Sequence, residues 1–102
     1  MTKNEKREHS DVLYQAILTL RDLDECKKFF SDLCTVAELR AMEQRFEVAM
    51  LLSDGMIYND ILERTCASSA TISRVNRSLQ YGADGYQAVL PRIKEQMDQH
   101  GV

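Results

Sequence analysis

The chain is predicted to be all-α. Apolar residues recur at helical spacing through most of its 102 residues, no stretch keeps the two-residue alternation of a strand, and only one proline, Pro91, interrupts the pattern. With 44% hydrophobic residues the sequence can form a core. A chain this short buries a smaller share of its surface than a long one, so residues 1–102 read as a single small domain that a second copy would help to complete.

Each element has its own reason. Val12, Leu13, Ala16, Ile17, Leu20 and Leu23 lie on one apolar stripe and predict a first helix. A second, shorter helix follows Asp24, with Phe29, Phe30 and Leu33 as its apolar side. Thr35-x-x-Glu38 is a capping box, in which the hydroxyl and the carboxylate each satisfy a backbone donor. The helix it opens carries Leu39, Met42, Phe46, Ala49 and Met50 on one side, widened by Val48 and Leu52. It ends at Ser53-Asp54-Gly55, where glycine can turn left-handed. Pro91 leaves two readings of the C-terminal region. Asp84 caps a last helix, Gln87 closes a capping box and Pro91 breaks the interior, or Pro91 sits in the first turn of a helix starting near residue 90. The second is preferred.

Residues 57–81 read as a helix-turn-helix, flanked by scaffold at about 10–54 and 84–98. Ile61 belongs to the first short helix; Ile72, Val75 and Leu79 recur on the second. Thr65-Cys66-Ala67-Ser68 is a tight polar connection, and Ser68 can cap the second helix by accepting a first-turn N–H. Many such turns place glycine where Cys66 stands, because a positive φ is needed there. The turn is therefore strained, differently shaped, or closed by Ala67 and Ser68. Ser69, Ala70 and Ser73, with Thr71 nearby, start the second helix with short side chains, which permits close approach to base edges in a major groove. On this reading Asn59, Ser69, Ala70 and Ser73 face bases, while Thr71, Arg74 and Arg77 face phosphates. Charge agrees. The chain is net −3, yet residues 64–83 hold Arg64, Arg74 and Arg77 and no acid, a local +3 against −6 elsewhere.

Ala70-Thr71-Ile72-Ser73-Arg74, followed by Asn76-Arg77-Ser78-Leu79, closely resembles the recognition helix of the Trp repressor superfamily. Thr35-Val36-Ala37-Glu38-Leu39-Arg40-Ala41-Met42 and Gln44-Arg45 resemble the helix that precedes that reading head, at a spacing that fits without insertion. The likeness runs over about residues 12–97 and is strongest to the YerC/YecD-type branch. It implies about six helices, a homodimer with interwoven subunits, one reading head per subunit, and binding to double-stranded DNA as a transcriptional repressor. Helix-turn-helix dimers, the Trp repressor among them, set their two heads about one turn of DNA apart, ~34 Å. The same resemblance carries an effector pocket onto Thr35, Arg45, Arg74, Val75 and Ser78. Two guanidiniums suit an amino-acid carboxylate and an indole face, and Ser78 would meet the ammonium. The family repressor has glycine at the position of Val75, whose side chain here intrudes on the indole space. Tryptophan is therefore not the expected effector. Arg45 and Arg74 would otherwise pair with Glu38, Glu43 or Glu47, or face phosphates.

Other classes find less. There is no glycine-rich phosphate loop, no HExxH, no nucleophile elbow and no informative Cys–His spacing, so neither an enzyme nor a cofactor is expected. Cys26, Cys34 and Cys66 form no CxxC pair, His9 and His100 lie near opposite ends, and no metal site is expected. The cysteines read as reduced thiols of a cytoplasmic protein. The charged segment Met1–His9 is no signal peptide, and no apolar run spans a membrane. A helical protein-interaction module is the competing class, favoured by the acidic remainder and the lack of a lysine-rich patch.

Overall fold

A computed structural model describes residues 11–99, which form six helices and, among the described residues, no strand. They are α1 (described over 11–17), α2 (Leu23–Leu33), α3 (Val36–Ser53), α4 (Tyr58–Thr65), α5 (Ser69–Tyr81) and α6 (Gly85–Gln99). The chain divides into two compact units, Met1–Leu39 and Arg40–Val102.

In the first unit, the apolar stripe from Val12 to Leu23 is not one helix. The α1 segment stops at residue 17, because the Thr19 hydroxyl and N–H both donate to Ala16 O, at 2.7 and 3.0 Å, and tighten the chain into a turn. Helix α2 then starts at Leu23 rather than after Asp24. Asp22 is its N-cap, accepting from the Glu25 N–H at 2.8 Å, while Glu25 reaches back to the Arg21 N–H at 3.2 Å. Leu18 is left 84% exposed, and Val12, Leu23, Leu33 and Val36 are also open. Phe29 and Phe30 meet edge to face. The Thr35–Glu38 box forms in both directions, with Glu38 accepting from the Thr35 N–H at 2.8 Å and Thr35 Oγ1 from the Glu38 N–H at 3.1 Å. The Thr35 backbone N–H first, and then its hydroxyl, hold the Glu38 carboxyl below its ordinary pKa.

The second unit holds the core. Helix α3 ends as its sequence requires: Gly55 takes φ 86, its N–H donates to Leu52 O, and the Met56 N–H donates to Leu51 O. This pair of bonds is a Schellman closure, and Met56 and Leu51 both pack on the core cluster. That cluster is Val48 and Ala49 from α3, Ile61 from α4, Ala67 from the turn, and Ile72 and Val75 from α5.

Helix α6 departs from the preferred reading. It begins at Gly85 and continues through Pro91 to Gln99. The capping box of the other reading does not form either, since Asp84 lies at φ 67 and the Gln87 amide donates to Leu79 O at 2.8 Å instead. Proline deprives the Gln87 carbonyl of its usual donor. Pro91 is exposed, so water can reach that region, while Tyr86, Leu90, Ile93 and Met97 keep an unbroken inward stripe. Lys94 ties α6 to the end of α3, donating to Ser53 Oγ and pairing with Asp54 at 2.8 Å.

Candidate nucleic-acid interface

Helices α4 and α5 are short and amphipathic, and their apolar sides meet on the core cluster. Ile61 and Ile72 are fully buried, and Val75 is 2% exposed. Each such side chain contributes about 1.5–3 kcal/mol by leaving water. Together they outweigh the strain of the turn, where Cys66 occupies the left-handed region at φ 59, ψ 17. A non-glycine residue there costs about 1–2 kcal/mol. Of the alternatives open in the sequence, the strained turn is the one adopted.

The connection is closed by hydrogen bonds. The Cys66 N–H returns to Leu62 O. Thr65 Oγ1 donates to Ile61 O at 2.7 Å and accepts the Ala67 N–H at 3.1 Å. From α3, half-buried Gln44 donates its amide to Thr65 O at 3.2 Å. Ser68 then caps α5: its Oγ accepts the Thr71 N–H at 3.1 Å and donates to Thr71 Oγ1 at 3.0 Å. Gly82 closes the far end, where an added Cβ would collide with Ser78 O.

The opposite side of α5 faces solvent. Ser69, Ala70, Ser73, Arg74 and Arg77 are all exposed, as are Ser68 at the cap and Asn59 on α4, while Thr71 is half-buried. Arg64 opens onto solvent near the same turn. Among the described residues the ion pairs are Lys28–Asp24 and Lys94–Asp54, so no carboxylate neutralises Arg64, Arg74 or Arg77. The arrangement puts short hydroxyl and methyl groups at the N-terminal end of one helix, with guanidiniums along its length. Such a surface can approach base edges while its cations meet phosphates.

Of the residues assigned to an effector, Arg45, Arg74, Val75 and Ser78 lie in the second unit. Val75 lies in the core cluster, Arg45 is half-buried, and Arg74 and Ser78 are exposed on α5. Thr35, in the other unit, is engaged in its capping box. Within the second unit, Arg45 and Arg74 form no ion pair with Glu43 or Glu47 among the described residues. Two open clefts occur on the second unit, one of about 500 Å³ beside Lys94 and one of about 380 Å³ beside Phe46 and Tyr86. Ser78 lines the latter; Arg45, Arg74 and Val75 line neither. The contribution of Gln44 was not read from sequence, because it acts across 21 residues and no local pattern announces it.

The family profile of the Trp repressor protein matches residues 8–94. The chain belongs to the Trp repressor family. It is 52% identical over 85 residues to the uncharacterized protein YerC of Bacillus subtilis, covering 83% of this chain and 82% of that one. A crystal structure of a TrpR-like protein from Eubacterium eligens superposes with a TM-score of 0.83 at 52% identity, over 91% of this chain and 96% of the other. A candidate Trp repressor from Staphylococcus aureus gives the same TM-score at 45% identity, over 92% and 96%. The all-α fold and the family expected from the recognition-helix residues are thus both found. No helix among the described residues is long and apolar enough to cross a membrane.

Proposed function

We propose that this Trp repressor family member is a cytoplasmic transcriptional regulator, acting as a repressor, that binds double-stranded DNA sequence-specifically as a homodimer of single-domain chains. The observation that carries the reading is the two-sidedness of α5. Ile72 and Val75 are sunk in the core, while Ser69, Ala70, Ser73, Arg74 and Arg77 stand in solvent on a segment without a carboxylate. Asn59, Ser69, Ala70 and Ser73 are assigned to bases, Thr71, Arg74 and Arg77 to phosphates, and Ser68 to orienting α5 through its cap. Dimerisation is supported by the apolar side chains left open on the first unit. Its interface is assigned mainly to Leu13, Ile17, Leu20, Phe46 and Met50.

The family is regulatory rather than enzymatic, and its name points to tryptophan as effector. In this chain the burial of Val75 supports a regulator that does not respond to tryptophan. Selection of bound sequences from a random DNA pool tests the whole reading. Recovery of a two-fold motif, bound with affinity that falls steeply with salt, is the expected result. Retention without any salt slope, or none at all, would instead favour a protein-interaction module.

A further inference from the structure

The turn between α4 and α5 asks for more support than its own residues supply. Cys66 adopts a left-handed conformation without being glycine, a state that persists only where surrounding contacts hold it. Thr65 occupies the last position of α4, so its carbonyl has no partner within that helix. The Gln44 amide fills that vacancy at 3.2 Å. Gln44 stands one helical turn before Val48, a fully buried member of the core, so it projects from the side of α3 that packs beneath the motif. Every other side-chain bond of the turn comes from Thr65 and Ser68, within the motif itself. Among the described residues, Gln44 supplies the one side-chain hydrogen bond from α3 to residues 57–81.

We infer that Gln44 is a positioning residue for the reading head: by bonding the Thr65 carbonyl it holds Cys66 left-handed and so fixes the angle at which α5 leaves α4. The inference rests on the DNA-binding reading for its consequence, though not for its geometry. A neutral amide–carbonyl bond that is part-buried shifts a local equilibrium by about 3- to 10-fold.

The test is a pair of variants in the full chain, Gln44→Met and Cys66→Gly, alone and together. Gln44→Met keeps length and removes the donor. Amide hydrogen exchange should quicken at Cys66 and Ala67 by about 3- to 10-fold and stay unchanged at Val48 and Ile72. Affinity for the selected DNA site should fall by a similar factor with the salt slope unaltered. In the Cys66→Gly background that loss should shrink below about 2-fold, because glycine takes the left-handed conformation unaided. Unchanged exchange at Cys66 and Ala67 would overturn the inference, and so would an equal loss of affinity in both backgrounds, which marks a general packing role. If Gln44→Met does not fold, Gln44→Glu is read in the same way, since its carboxylate offers the carbonyl no donor. A parent protein that shows no salt-dependent DNA binding would sink the functional reading, and the exchange measurement would still decide the role of Gln44.

Discussion

Replacing Val75 by glycine asks whether the space beside α5 belongs to the core or to an effector. Val75 is 2% exposed and packs with Val48, Ala49, Ile61, Ala67 and Ile72. Removing its side chain forfeits about 2 kcal/mol of transfer free energy, and the unfilled volume adds to that. Glycine inside a helix costs about 1 kcal/mol more. The sum, about 3–4 kcal/mol, is a large part of the ~5–15 kcal/mol typical of a domain. Val75→Ala keeps helix propensity and should lose only about 2 kcal/mol. Urea unfolding followed by circular dichroism, with all proteins at one concentration because the proposed dimerisation would couple to folding, measures both losses. Calorimetry with L-tryptophan on the parent and on Val75→Gly completes the experiment. The parent should give no heat of binding, because a filled site offers the ligand no difference between states to act on. A loss below about 1 kcal/mol for Val75→Gly would refute the core assignment. Clear heat from the parent at millimolar tryptophan or below would refute the blocked site.

Arg77→Ala should weaken binding to all DNA sequences alike and flatten the salt slope by about one, whereas Ser73→Ala should alter preference at about one base pair; filter binding across a salt series separates them, and a change of sequence choice with Arg77→Ala would reverse the assignment. Folding lowers the pKa of Glu38, so its capping contribution is complete above the unfolded value near 4.5 and is lost as pH falls through the lower folded value. The substitution Glu38→Gln should therefore remove part of the acid sensitivity of the melting temperature below pH 4.5, and identical acid profiles would count against the box. Light scattering should find a dimer at micromolar concentration, with Leu20→Glu giving an unfolded chain rather than a folded monomer; a folded monomer of the parent would sink the interwoven assembly.

What the sequence made legible were the features built from neighbours along the chain. Thr35 with Glu38, Ser68 with the first turn of α5, and Gly55 after α3 each satisfy backbone groups within a few residues, and each forms as read. Ile72 and Val75 share a face by helical periodicity alone. The misreadings came where a competing local bond or a distant contact decides. Thr19 ended α1 although the apolar stripe ran on, and the Asp22 cap moved the start of α2. At Pro91 the inward stripe from Tyr86 to Met97 outweighed one missing donor. Gln44 could not be found by any period, since its partner is brought near only by the packing of α3 against α4 and the turn. In the candidate interface the exposure of the short side chains followed from the buried ones; the base each would meet did not.

The division of α5 into a buried and a solvent side has an evolutionary consequence. Ser69, Ala70 and Ser73 are exposed and lie outside the core cluster, so exchanging them should leave stability within about 0.5 kcal/mol. On the proposed DNA-binding reading, sequence preference can then drift by single substitutions while folding stays under no new constraint. On that reading a duplicated copy of this chain would need to change only a few surface side chains to favour a different DNA sequence, and its shape would carry no trace of the divergence.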